Sequence, residues 1–292
     1  NIQHQWKGVL FEIGYLATLG RKINFPANNQ NHIPPELLSR TDIPERFRRP
    51  WTTFTGNQPQ IQILAPNWGL SNYHGFTFKS ERRYANGLSW LVANTHTQWI
   101  DTVIFTGGDG ATFGDSDQIQ NVYDIRNERS SSTNRIPHRL VVAPMFDLPF
   151  GKGRRFLDRG GVANAILGGW QFSTIGTMQS GAPLGVTVVN GARDVLRDQA
   201  DGKVLRAYLV DSQLVSSRRG QPASDGVIGL DWLNPGAFAV PAPFTHGNSS
   251  RTLPGVWGPG IVNFEFMLGS NFGVVTGAGG RRIMQLALKL YW

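Results

Sequence analysis

The side chains able to do chemistry in this chain are scattered. Six histidines, His4, His32, His74, His96, His138 and His246, make no His-Glu-x-x-His pair and no other zinc-ligand spacing. Gly151-Lys152-Gly153 has the flavour of a phosphate loop but lacks the G-x-x-x-x-G-K-[ST] frame, and its glycines read as a turn that needs positive φ. Ser180 stands in Gln-Ser-Gly, outside the G-x-S-x-G elbow that exposes a nucleophile. Asp109, Asp115, Asp117 and Asp124 are hard oxygen donors of the kind calcium takes, but their spacing is not that of an EF-hand loop, and a solvated loop is the reading adopted. No pair of carboxylates falls on a defensible period. The expectation is no catalytic residue, no cofactor-binding residue, no metal ligand and no enzyme activity.

Composition narrows the class further. The 292 residues open on Asn1 and contain no cysteine, so disulfide stapling and thiol catalysis are excluded. The missing initiator methionine suggests a piece of a longer protein, and no signal peptide is visible. Charged residues make up only 16%, whereas Gly (35) and Trp (9) are over-used. The net charge of +8 comes in small separate knots, Arg82-Arg83, Lys152 to Arg155, Arg218-Arg219 and Arg281-Arg282, with no nucleic-acid reading module, so nucleic acid is not expected as a partner. No run of 18 apolar residues exists, so a membrane reading has to be a barrel reading.

The elements that would position these residues are strands. Trp6 to Leu19 alternates and reads as one strand. From 72 to 84, Phe76 and Phe78 share one face and Thr77, Lys79, Glu81 and Arg83 the other. Asn86-Gly87 is a strong type I′ hairpin signal leading into 88–99. Segments 139–148 and 170–179 follow, the second with Trp170, Phe172, Thr174, Gly176 and Met178 on one face. Between them lie a Pro-Phe-Gly-Lys-Gly turn, a basic cluster (Lys152, Arg154, Arg155, Arg159) and a short run, 162–167, able to make a helical turn. Leu184 to Val189 extends or follows the fifth strand. The last two strands are 261–269 and 281–292, the latter with Met284, Leu286, Leu288, Leu290 and Trp292 on one face. Three stretches without a sustained period, 20–70, 100–137 and 190–260, read as long loops.

Seven strands, short turns alternating with long loops, and an aromatic at the end of the last strand fit an outer-membrane barrel. Several uncommon words in fixed order make the reading specific: Arg83-Tyr84-Ala85-Asn86-Gly87-Leu88-Ser89, Asp147-Leu148-Pro149-Phe150-Gly151-Lys152-Gly153-Arg154, Gly168-Gly169-Trp170-Gln171, Gln179-Ser180-Gly181-Ala182-Pro183, Leu233-Asn234-Pro235-Gly236-Ala237-Phe238 and Gly258-Pro259-Gly260. In these words the chain resembles the C-terminal β-barrel portion of Oar-like TonB-dependent outer-membrane receptors, the group with an N-terminal carboxypeptidase-regulatory-like domain. The resemblance implies an all-β fold: residues 1–292 as a single partial antiparallel transmembrane β-barrel with long extracellular loops, in the bacterial outer membrane. It implies uptake of a substrate it does not identify, with outer-membrane lipid as surroundings and TonB and an N-terminal plug as partners in the full-length parent. A surface adhesion barrel is the alternative, and a soluble glycan-binding β-sandwich stands behind it.

Strand parity gives one more expectation. Counting directions from a periplasmic Asn86-Gly87 turn, strand 261–269 runs down and the terminal strand, which should end in the periplasm, must also run down. A strand is then missing between Gly269 and Arg281, a deletion of roughly 25 to 40 residues relative to the family. The terminal strand would pair out of the family register or stay at an edge.

Overall fold

Alternating bulky and polar side chains over 10 to 17 residues, punctuated by Gly and Asn, give the chain its long strands. The structure, a computed structural model, describes residues 1–24, 28–53, 61–63, 66–102, 119–158, 161–162, 164, 168–188, 205–222, 231–270 and 283–291. In chain order the elements are β1 (Ile2–Trp6), β2 (Val9–Ile23), β3 (Asn28–Asn29), a single helical turn α1 (Glu45–Arg48), β4 (Gln62–Ile63), β5 (Gly69–Ala85) and β6 (Leu88–Asp101). Then come β7 (Ser130–Ser131), β8 (His138–Asp147), β9 (Trp170–Gln179), β10 (Tyr208–Leu209), β11 (Phe238–Ala239), β12 (Ile261–Ser270) and β13 (Ile283–Tyr291).

One antiparallel sheet runs in the order β1-β2-β5-β6-β8-β9-β12-β13, with β7 added to β6. Every neighbour on that path is the next long strand along the chain, the neighbour-paired meander expected of a barrel wall. The sheet does not close: β1 and β13 are its two edges. Among the described residues no second sheet packs against it, because the remaining pairs, β3-β4 and β10-β11, are two residues long. A sandwich needs two facing sheets about 10 Å apart, so the soluble sandwich alternative does not fit.

Register sorts the side chains. Tyr15, Phe76 and His96 lie in one cross-strand row; Val142, Gly176 and Phe264 lie in another. With their neighbours two or four residues away, Phe11, Ile13, Phe78, Val92, Leu140, Phe172 and Phe266, they make one face apolar. The other face carries Glu12, Lys79, Thr95, Arg139, Thr177, Gln179 and Asn263. Lys79 and Glu81 pair there at 2.7 Å, as ions facing water do. Ile13, Tyr15 and Phe76 remain 46%, 63% and 46% exposed, which in water would be a liability and against lipid is a solvent match.

Four expectations are corrected. Trp6–Leu19 is not one strand: the chain turns at Lys7-Gly8, whose φ of 46° and 78° make a tight hairpin between β1 and β2. The path therefore has eight strands, one more than the pattern gives. Residues 184–188 do not prolong β9; Leu184 exchanges hydrogen bonds with Val256 and Leu253, and Val188 donates to Leu205. The bend is set at Gly181, where a Cβ would come 2.1 Å from the Gly258 carbonyl oxygen. Finally, β13 pairs directly and antiparallel with β12, from Ile261↔Tyr291 to Gly269↔Ile283. It runs opposite to the required direction, because so short a connection returns a strand only as its neighbour's hairpin partner. It does lie at an edge. The run 162–167 falls mostly outside the described residues.

Candidate functional site

The buried apolar core is not in the sheet. Ile33, Leu38, Ile119, Leu205, Ala207, Leu214, Ala237, Leu253 and Val256, the buried hydrophobic residues among those described, all belong to the three long connections. These connections leave the same end of the sheet and fold on one another as a crown. Ile33 and Leu38 of the first pack on Leu205 of the third. Leu214, Ala237, Leu253 and Val256 make a second cluster within the third, and Ile119, Val122 and Ile125 a small one in the second.

Polar bonds tie the three together. Tyr123 of the second connection donates to the His32 carbonyl of the first at 2.6 Å. Arg206 ion-pairs with Glu128 with both side chains out of water. The Arg206 backbone N–H donates to Gln120 Oε1 at 2.7 Å, and Gln120 Nε2 donates to the Gly247 carbonyl at 2.8 Å. Arg251 pairs with Asp101, the last residue of β6, and so pins the crown to the sheet. Thr252 Oγ1 adds a bond to the Ser131 carbonyl at 2.7 Å. In the first connection, Arg49 holds Glu45 and donates to the Asn31 carbonyl at 2.7 Å, while Asn31 brackets the Trp51 backbone.

Burial pushes the Glu128 carboxyl up from its ordinary range, against the pull of Arg206 and of the Gln120 N–H. Burial also raises the Tyr123 phenol, with Glu36 adding to the effect. The crown's rim presents Phe47, Trp51, Tyr123, Tyr208 and Val240 to solvent. That suits recognition by stacking and apolar contact.

The opposite end holds a second knot. Asp147 accepts from Tyr84 Oη at 2.6 Å and Gln171 Nε2 at 2.8 Å, and it pairs with Arg154. Its backbone N–H donates to the Gly87 carbonyl at 2.8 Å. Three of the sequence words thus meet on one carboxylate. Two more meet in the crown: Gly258 N–H donates to the Ala182 carbonyl at 2.7 Å, beside the Pro183–Trp257 bridge. Asn234 caps its own turn by accepting from Gly236 N–H at 3.1 Å. The words that meet on Asp147 are joints of the wall, and the others fix turns of the crown.

The residues weighed for chemistry do not converge. Gly151 and Gly153 take φ of 122° and 75°, as a turn requires. Asp109, Asp115 and Asp117 lie outside the described residues, and Asp124 precedes the short helical turn at Ile125–Glu128. Among the described residues no three His, Cys, Asp or Glu come together as a metal site would need. His96 and His138 do meet across β6 and β8, Nδ1 to Nδ1 at 3.3 Å, a pairing that sequence spacing alone does not reveal. No helix among the described residues is long and apolar enough to cross a membrane.

A family model described as an outer membrane beta barrel domain matches residues 1–281. No curated protein and no solved structure matches.

Proposed function

The chain belongs to the outer membrane beta barrel domain family, which places it in the bacterial outer membrane, and we propose that it is the C-terminal part of a TonB-dependent transporter. The observation that carries the reading is an unclosed eight-strand wall with a folded crown at one end. An open wall in lipid leaves a row of unsatisfied N–H and C=O groups along each edge, each costing several kcal/mol. The stable state of such a wall is as one arc of a larger barrel, wide enough to hold a plug. The Oar-like words point the same way, because several of them meet in the wall's joints.

In this reading the polar face lines the lumen, the crown's rim meets substrate first, and TonB acts on a plug supplied by the rest of the parent. The chain carries no enzyme activity and needs no cofactor. A surface adhesion barrel is the second reading, favoured by the crown having a core of its own, which a loop that only gates a pore does not need.

Depletion of medium components by the producing bacterium separates the two. Solutes whose uptake is lost when this protein is deleted should also be lost when TonB is deleted. An uptake defect indifferent to TonB would refute transport of this kind, and loss of attachment without any uptake defect would favour adhesion.

A further inference from the structure

On the apolar face the described strands carry only two charged residues, Arg21 at the crown end and Arg82 at the turn end. Arg21 is engaged by Asn72 Oδ1 at 2.6 Å and by the carbonyls of Gly20 and Ser71. Among the described residues Arg82 has no carboxylate in ion-pair reach, since its neighbour Glu81 faces the lumen and is held by Lys79. Its guanidinium lies 5.3 Å from the Trp90 ring centroid, and one amino group makes only a long 3.5 Å bond to the Ala85 carbonyl. The Trp90 ring is fixed by its N–H bond to Ser80 Oγ at 3.2 Å.

Register puts Arg82 in a row. Trp6 pairs with Val9, Val9 with Arg82, Arg82 with Trp90 and Trp90 with Pro144. Lys7, next to Trp6 in the hairpin turn, places its ammonium 4.8 Å from the Trp6 ring centroid. The turn end thus presents two cations, each seated on an indole, beside strands two spacings apart, about 10 Å at the backbone. Phe146 flanks the row, 38% exposed. Between this row and the row of Tyr15, Phe76, His96 and His138 the described strands carry no charged side chain on this face. The long β2, β5 and β6, at 15, 17 and 14 residues, exceed the 9 to 11 that a tilted span needs and rise beyond it on the crown side.

We propose that Lys7, Arg82, Trp6 and Trp90 form a binding site for the phosphate headgroup of an anionic phospholipid in the leaflet that meets the short turns. The indoles supply the interfacial floor. Arg82 grips phosphate oxygens through its planar fork, and Lys7 adds a second positive charge without desolvating deeply. Aromatic girdles alone anchor a barrel at either headgroup chemistry. The unpaired guanidinium within this one makes the site selective for net negative lipid. The inference rests on the membrane reading above and is independent of TonB.

The test is quenching of tryptophan fluorescence of the full chain in bilayers containing brominated phosphatidylglycerol or brominated phosphatidylcholine, with a Trp6→Phe/Trp90→Phe variant to isolate the two indoles. Phosphatidylglycerol should be enriched at these tryptophans by about fivefold for each cation that contributes. Lys7→Gln/Arg82→Gln should abolish the preference. Arg126→Gln/Arg129→Gln, which removes the same charge from exposed crown positions, should leave it intact. Lys7→Arg/Arg82→Lys keeps both charges and should retain most of it, which guards against a glutamine variant that fails to fold. Equal quenching by both lipids in the wild type, or an equal loss in the crown variant, overturns the site while leaving the membrane face standing. No quenching by either lipid overturns both.

Discussion

Arg251→Met isolates the bond that pins the crown to the wall. The Arg251 and Asp101 side chains are 9% and 1% exposed. Arg251 also reaches the Asp101 and Glu128 carbonyls at 3.4 and 3.5 Å. Methionine keeps the aliphatic length, so the change mainly removes a charge and leaves the Asp101 carboxylate in the dry interior, where its second oxygen already has no partner among the described groups. Stranding one member of a buried ion pair costs about 3–5 kcal/mol. The loss falls on crown opening, because the sheet's own ladders are untouched. At about 1.4 kcal/mol per tenfold, amide exchange should accelerate by about a hundredfold or more. Reporter amides are Leu253, which donates to Leu184 O at 2.7 Å, and Ser249, which donates to Ala207 O at 3.2 Å. Amides of β12 serve as the unchanged reference. Arg251→Met/Asp101→Asn should recover most of the protection, since replacing both partners removes the stranded charge. If the single variant exchanges like the wild type, the pair does not hold the crown. If the double variant is no better than the single, the cost was lost packing.

At the turn end, Asp147→Ala removes the acceptor of Tyr84, Gln171 and Arg154 together; a loss of about 2–3 kcal/mol should lower the denaturation midpoint in detergent. Gly176→Val should cost about 1–3 kcal/mol by overpacking, because a Cβ there meets the Phe264 ring at 2.3 Å and Val142 at 2.9 Å; an unchanged midpoint would mean that the ring swings freely into lipid. Glu128 gives the crown a pH dependence. Its carboxyl is raised in the folded crown, so folding takes up a proton. Crown stability is then greatest below its ordinary value of 4.5 and declines as pH rises through the raised one. Exchange at residues 120–128, corrected for intrinsic rates, should show this slope, and Glu128→Gln should flatten it.

The wall was more legible than the crown, for a physical reason. Strand periodicity and the Asn86-Gly87 turn are local signals, and there the structure follows them, with φ of 55° and 76° at the turn. Lys7-Gly8 takes nearly the same conformation, but lysine carries no turn signature, and β1 is only five residues long, too short for its alternation to stand out. The crown depends on pairs far apart in sequence. Glu128 meets Arg206 across 78 positions and Asp101 meets Arg251 across 150. Turn-rich, aperiodic segments hide such pairings, so they read as loops although they hold most of the fully dry side chains among the described residues. The words Tyr84, Asp147, Arg154 and Gln171 were visible as words, yet their meeting on one carboxylate required coordinates.

The open wall also sets what these residues can do by themselves. β1 and β13, the edges, run antiparallel to each other because they are the first and last of eight alternating strands. A complete wall therefore either closes one edge on the other or takes in an even number of further strands. Direct closure would give an eight-strand barrel, whose interior is filled by side chains and leaves no aqueous path. The five-residue β1 could in any case pair only part of an edge. In a larger barrel, the same polar face of Glu12, Lys79, Arg139 and Asn263 would line the lumen. The isolated 292-residue chain, reconstituted in liposomes, is accordingly expected to give neither solute flux nor discrete conductance steps. Reproducible steps from the chain alone would show that the edges find each other around water, and that the wall is a pore in its own right.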